Sequence, residues 1–221
     1  MLPTDIYMAD PAAAKSAILT GGQATRAPGV SAINPISGTS GADRIAGTSG
    51  DDVIAGNEGN DVIAGNQGND FLLGNTGDDF LLGNNGNDTL RGGRDNDILY
   101  GGGDDDMVYG DLGDDFLSGD RGNDMLYGGT GADTFYYGAA NQRVALDAGH
   151  DRIGDFELKS GGNPGDMIQL EGLGSKFDTY AEVMQVAQQT ADGVVFDFGN
   201  GRSLTVEHVQ VADLTSDYFI I

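Results

Sequence analysis

An aspartate returns every nine residues, eleven times without a break, at Asp43, Asp52, Asp61, Asp70, Asp79, Asp88, Asp97, Asp106, Asp115, Asp124 and Asp133. A fixed short period means one small unit stacked on copies of itself, because a piece this size cannot bury a hydrophobic face alone. An acid at one phase of the unit gives a row of carboxylates, and so a row of candidate cation sites.

Eleven units run from Gly38 to Tyr136: the first reads GTSGADRIA, the fourth GNQGNDFLL, the last GGTGADTFY. Position one is Gly throughout. Position two is Thr39 and Thr48, and thereafter Asn, Gly or Asp. Position four is Gly except at Asp95 and Asp104. Position eight is apolar in every unit, from Ile45 and Ile54 to Leu126 and Phe135. Gly, Asn and Asp tolerate positive φ, so positions one to six read as a tight turn. Positions seven to nine read as a short strand whose middle residue faces a core and whose flanking residues face outward.

This register of units resembles the RTX repeat, G-G-x-G-x-D-x-U-x, of calcium-binding secreted proteins. The likeness spans 99 of 221 residues in the correct phase in every unit. It implies an all-β chain: a parallel β-roll, or β-solenoid, with two units to each 18-residue coil. Eleven units then make about five and a half coils, roughly 26 Å of stack at ordinary strand spacing. The domain reading is a leader and N-terminal cap over 1–37, the β-roll over 38–136, and a C-terminal, mostly-β cap with one helix and a secretion signal over 137–221.

The resemblance also implies a ligand set. Each ion would sit between neighbouring turns on one side and take two of the periodic aspartates plus backbone carbonyls. The carbonyl candidates are turn residues such as Gly56, Asn57, Gly59, Gly65, Asn66, Gly68, Gly74, Asn75, Gly77, Gly83, Asn84 and Gly86. Later turns offer Gly110, Asp111, Gly113, Gly119, Asp120, Gly122, Gly128, Gly129 and Gly131. Six turns on one side and five on the other give up to nine Ca2+ ions. Calcium suits such a site because it accepts six to eight oxygens in flexible geometry, carbonyls included. With no Cys and two His, zinc or copper sites of the usual kind are not on offer. Magnesium holds its waters and an octahedral shell, and there is no twelve-residue EF-hand loop ending in Glu.

Asp and Gly are also plain turn formers, but charge argues against that reading alone. The repeat block holds twenty acidic and four basic residues, a net of −16 within the chain's −24. Stacking these carboxylates without cations sets like charges against each other, and nine divalent ions would bring the block near neutrality. Not every unit should bind equally. Thr39 and Thr48 mark the first two units as the weakest sites, and Asp95 and Asp104 either strain their turns or add a ligand. Without calcium the Gly-rich, acidic block should be disordered, so that binding energy becomes folding energy.

Outside the repeats, Asp10–Leu19 reads as a short helix with Pro11 at its first position. The leader reads as a loose cap or a binding element. It lacks the basic start and apolar run of a cleaved signal peptide, and no segment reaches transmembrane length. In the C-terminal region, Asp147–Phe156 and Asp166–Leu170 read as strands. Phe177, Tyr180, Val183, Met184 and Ala187 recur at helical spacing within Ser175–Thr190. Val194–Phe198 and Ser203–Val206 flank Gly199-Asn200-Gly201 as a hairpin. Asp217 followed by Tyr218–Ile221 reads as a final strand, and also resembles the uncleaved signal of type I secretion substrates. The segment as a whole is similar to the region that follows the repeats in serralysin-type proteases and RTX adhesins. His150 and His208 read as structural or surface residues. Asp151 and Asp155 read as turn and cap residues, with calcium ligation the alternative.

No catalytic motif accompanies this frame. HExxH, GxSxG and phosphate-loop patterns are all missing, and the acidity argues against nucleic acid. The chain therefore reads as a non-enzymatic, secreted bacterial calcium-binding protein, complete from Met1, with a surface, matrix or self-assembly role. The alternative is a calcium-dependent folding and secretion module serving an enzyme or toxin region elsewhere. Expected partners are calcium, the type I secretion machinery, and either a second copy or a cell-surface or matrix component. The last follows from the apolar outward positions, Val62, Ala64, Phe80, Leu82, Ile98, Tyr100 and Phe116 on one side and Val53, Ala55, Phe71, Leu73, Met107, Tyr109, Met125 and Tyr127 on the other. The competing reading is that the leader and cap cover these faces.

Overall fold

The computed structural model describes residues 34–138, 149–174 and 176–221. The helix read over Asp10–Leu19, the rest of the leader up to residue 33, and the start of the strand read from Asp147 lie outside these residues. In chain order the strands are β1 (Asn34–Ser37), β2 (Arg44–Ala46), β3 (Asp52–Glu58), β4 (Val62–Gln67), β5 (Phe71–Thr76) and β6 (Phe80–Asn85). They continue as β7 (Thr89–Arg94), β8 (Ile98–Gly103), β9 (Met107–Leu112), β10 (Phe116–Arg121), β11 (Met125–Thr130) and β12 (Thr134–Gly138).

Every pairing from β1 to β12 is parallel and joins residue i to i + 18. Alternate units therefore fall into two sheets, and one coil holds two units. Position eight alone fills the space between the sheets. Ile54, Ile63, Leu72, Leu81, Leu90, Leu99, Val108 and Leu117 are fully buried, and Ile45 at the open end is partly so. A core one side chain deep explains why this position is apolar in every unit.

Two features differ from the sequence reading. From β4 to β11 the strands run six residues, from position seven through position three of the next unit, so the turn proper is positions four to six. The ladder survives the glycine and the positive φ at position two because parallel neighbours repeat the same distortion, as in Asn57↔Asn75 and Glu58↔Thr76. In addition β1, within the segment read as leader, pairs with β3 and places Ile36 opposite Ile54.

The C-terminal segment continues both sheets before departing from them. β13 (His150–Ile153) adds in parallel to β11, and β14 (Met167–Glu171) adds in parallel to β12. Helix α1 (Tyr180–Gln185) is capped by Thr179, whose side chain accepts the Glu182 N–H. It is shorter than the periodicity over Ser175–Thr190, since Ala187–Gln189 turns into strand β15. β16 (Gly193–Gly199) and β17 (Arg202–Glu207) form the antiparallel hairpin, with Gly199, Asn200 and Gly201 all at positive φ. β17 joins β13, and β18 (Phe219–Ile220) joins β14. Here the core thickens around Phe135, Tyr137, Phe156, Phe196, Phe198 and Tyr218.

Candidate metal centre

The geometry of each turn follows from its glycines. A Cβ placed on position-one Gly56, Gly65, Gly74 or Gly83 would lie 2.2–2.3 Å from Oδ2 of the aspartate five residues on. Position one is therefore Gly because the carboxylate occupies the room a side chain would need. Position two adopts φ of 80–85° at Asn57, Asn66, Asn75 and Asn84, and 69–77° at Asp111 and Asp120. Only Gly and short polar residues enter that region readily. Asp95 and Asp104 take φ of 72° and 76° at position four, where their neighbours are Gly. Their carboxylates accept the N–H groups of Gly77 and Gly86, each at 3.2 Å, which accounts for the departure from Gly there.

The periodic aspartates form two ladders, one on each side of the roll. On one side the N–H of Asp43, Asp61, Asp79, Asp97 and Asp115 donates to Oδ1 of the aspartate one coil later, at 2.7–2.9 Å. On the other, Asp52, Asp70, Asp88 and Asp106 do the same at 2.7–2.8 Å. That satisfies one carboxylate oxygen. The other, Oδ2 of Asp61, Asp70, Asp79, Asp88, Asp97, Asp106, Asp115, Asp124 and Asp133, is buried without a hydrogen-bond partner. An acceptor left this way is costly unless something positive meets it.

The surroundings supply more acceptors. The carbonyl oxygens of Gly74 and Gly83 lie 2.9 Å from the same points on Gly56 and Gly65 that the carboxylates crowd, and the carbonyls of Gly92, Gly101 and Gly128 border the equivalent spaces at Gly74, Gly83 and Gly110. Carbonyls at position two, such as Asn75, Asn84 and Asp111, and at position four, such as Gly59, Gly68, Gly113 and Gly122, instead lie against the same position of the next turn. Among the described residues no three His, Cys, Asp or Glu side chains converge. Each ladder step therefore offers carboxylates together with carbonyls. That is a hard-oxygen set suited to calcium and unsuited to softer metals.

The first two units differ. Asp43 Oδ2 accepts from the backbone N–H of Thr39 at 2.6 Å and from its hydroxyl at 2.9 Å. Asp52 Oδ2 accepts from Thr48 in the same way, at 2.5 and 3.0 Å. A β-branched residue avoids positive φ, so its N–H turns inward and fills the place where the other units present a bare oxygen.

Burial pushes the ladder carboxyls up, to about 6 at Asp79, about 7 at Asp88, about 8 at Asp97 and about 9 at Asp106. Toward the far end the values fall to about 7 at Asp115 and about 6 at Asp133. Desolvation is the main cause and neighbouring carboxylates add to it, while the backbone N–H at each Oδ1 works against both. The rise toward the middle of the stack reflects distance from solvent at the ends.

A second ladder was not read from the sequence. Position five is Asn or Asp in nine of eleven units. Its side-chain oxygen accepts the N–H of position five one coil later, as in Asn87→Asn69 (2.9 Å), Asp114→Asn96 (2.8 Å) and Asn123→Asp105 (2.8 Å). Compositional bias at that position was the available signal. His150 is exposed and its Nδ1 lies 2.9 Å from Ser203 Oγ; His208 is exposed at φ 61°.

Residues 37–72, 73–108 and 109–141 match the RTX calcium-binding nonapeptide repeat (4 copies). No curated protein matches the chain. Among solved structures, the extracellular lipase LipA from Serratia marcescens is 16% identical with a TM-score of 0.38, over 87% of this chain. This chain spans 40% of that lipase. The AlgE6R3 subunit of the Azotobacter vinelandii mannuronan C5-epimerase is 25% identical with a TM-score of 0.30, over 88% of this chain and 86% of that one. Residues 37–141 of this chain thus carry the RTX calcium-binding nonapeptide repeat.

Proposed function

We propose that this chain is a secreted bacterial protein whose β-roll folds on binding calcium outside the cell, with no enzymatic activity of its own. One observation carries the reading: nine buried Oδ2 atoms without partners, stacked on two sides of a block with a net charge of −16. Cytosolic free calcium would leave the block unfolded and fit for export through type I machinery. Extracellular calcium, at roughly 10⁻⁴–10⁻³ M, is in the range such modules bind. Of the nine ladder steps, the two that involve Asp43 and Asp52 bind weakly, because Thr39 and Thr48 already fill their second oxygens.

Self-association is the role favoured outside the cell. One outer face bears Val62, Phe80, Leu82, Ile98, Tyr100 and Phe116, and none of its position-seven or position-nine residues from Val62 to Tyr136 is charged. The Phe80–Tyr100–Phe116 rings lie 5.7 Å apart in sequence along it, and Ile98 is 41% exposed. The acidic turns flanking this face would repel a second copy until calcium neutralises them. No helix among the described residues is long and apolar enough to cross a membrane.

Size-exclusion chromatography with light scattering, in chelator and then in millimolar calcium, tests both parts. Contraction followed by growth into dimers or larger species supports folding and assembly. Contraction to a monomer keeps the calcium-folding role and favours a module that serves an enzyme or toxin region. An elution volume indifferent to calcium contradicts the proposal.

A further inference from the structure

Outside the matched repeats, the C-terminal segment repeats their turn on one side of the roll. Asp151 stands in the same nine-residue phase as Asp43, although nothing between Asp133 and Asp151 keeps the motif. Gly149, two residues before it, has φ +55°, and a Cβ there would lie 1.8 Å from the Gly122 carbonyl, as one on Gly131 would from Gly113. His150 N–H donates to Asn123 Oδ1 at 3.1 Å, continuing the position-five ladder. Arg152 N–H donates to the Asp124 carbonyl at 2.8 Å, the bond that Met125 makes to Asp106 one coil earlier. Asp124 N–H donates to Asp151 Oδ1 at 3.1 Å, continuing the aspartate ladder.

The electrostatics at this junction are those of the interior steps without their regular neighbour. Asp124 and Asp151 are 1% and 2% exposed. Asp124 Oδ2 has no partner, and the Asp120 carboxylate lies close enough to raise both neighbours. The ion pairs among the described residues, Arg91–Asp111 and Arg152–Glu207, involve neither carboxylate. The buried Arg202 donates through Nη2 and Nε to the carbonyls of Phe198 and Gly199, its Nη1 has no hydrogen-bond partner, and it makes no ion pair with either carboxylate. Two buried carboxylates in contact need a cation or a shared proton between them.

We propose that Asp124 and Asp151 hold one further calcium ion, which joins the last turn on that side of the roll to the C-terminal segment. The inference rests on the calcium reading of the ladders and extends it to residues beyond the family's repeat. The opposite side is built differently. There Asp133 N–H donates to Asp166 Oδ1 at 3.0 Å, but Asp166 Oδ2 already accepts the Glu157 N–H at 2.7 Å.

Calcium stoichiometry on the full chain tests this, by equilibrium dialysis with metal analysis, for the native sequence, Asp151→Asn and the exposed Asp178→Asn. The expected result is one ion fewer per chain for Asp151→Asn and an unchanged count for Asp178→Asn. An unchanged count in Asp151→Asn overturns the inference and leaves a shared proton as the occupant. No bound calcium in the native chain instead overturns the calcium reading itself. Should Asp151→Asn fail to fold, hydrogen exchange on the native chain decides. Residues 149–153 are expected to become protected at the same calcium concentration as 119–124, and their protection in chelator contradicts the proposal.

Discussion

The repeat block and the C-terminal segment share two continuous sheets but are held together by different physics. From the second unit onward each repeat contributes one buried apolar side chain at position eight and one buried carboxylate at position six. In the C-terminal segment β16 and β17 pack Phe196, Phe198, Leu204 and Val206 into a core several side chains deep. It includes ring contacts from Phe198 to Tyr137 at 5.3 Å and to Phe177 at 5.1 Å. The second arrangement rests chiefly on the hydrophobic effect. The first leaves a line of carboxylate oxygens that the protein alone does not satisfy. Within one chain, then, the β16–β17 core stands on apolar packing, while the repeats, and the β13 junction that extends them, are conditional on ions.

Calcium removal should separate the two most sharply. In chelator, amides of the repeat strands are expected to lose hydrogen-exchange protection, while those of the β16–β17 hairpin keep theirs; uniform loss across both regions would show that the contrast is wrong. Next in size are the single core positions. Leu90→Ala and Phe196→Ala, both at fully buried sites, should each cost about 2–5 kcal/mol in calcium. In chelator, thermal unfolding should register only Phe196→Ala.

Gly65→Ala should act through the metal, since its Cβ would meet Asp70 Oδ2 at 2.3 Å. The expectation is at least one ion fewer per chain by metal analysis, with the C-terminal hairpin unaffected. Thr48→Asn should do the reverse. It removes the hydroxyl at 3.0 Å from Asp52 and permits the positive φ seen at Asn57, so the calcium count or the affinity of the weakest step should rise in a titration.

The pH response sharpens the contrast further. The ladder acids bind protons more tightly in the folded roll than in the unfolded chain, with Asp79 to Asp106 raised from 3.8 to about 6–9. Protonation therefore favours the calcium-free roll, and its stability should fall as pH rises from about 4 through that range. Calcium affinity should move the opposite way, because protons compete for the same oxygens. Denaturation in chelator at pH 4.5 and 7.5 checks the sign. The smallest effect is expected from Asn87→Ala, which removes one acceptor of the outer position-five ladder at a cost of about 0.5–1.5 kcal/mol.

Where the nine-residue period holds, the sequence was transparent. The roles of Gly65, Asp70 and Leu72 can be read from spacing because any change of phase would expose Leu72 or collide with Asp70. The position-five ladder escaped because Asn69 or Asn87 looks like an ordinary turn residue until the coil above is in place. The length of the strands escaped for a similar reason: Asn57 at φ 85° reads as a turn in isolation and keeps its pairing only against Asn75. The junction was hidden by the residues between Asp133 and Asp151, which carry no motif, and by the 33-residue step from Asp133 to Asp166, which is out of phase. The hairpin at Gly199-Asn200-Gly201 was legible because its turn chemistry is local.

If calcium completes the repeat block, adding it must build β structure. The most direct test is a far-ultraviolet circular dichroism titration of the full chain at neutral pH, beginning in chelator and adding calcium, with magnesium in parallel. The expected start is a weak β signal, from the C-terminal segment alone. A cooperative gain with calcium and little response to magnesium should follow. A full β spectrum in chelator, unchanged by either ion, would contradict that role for calcium.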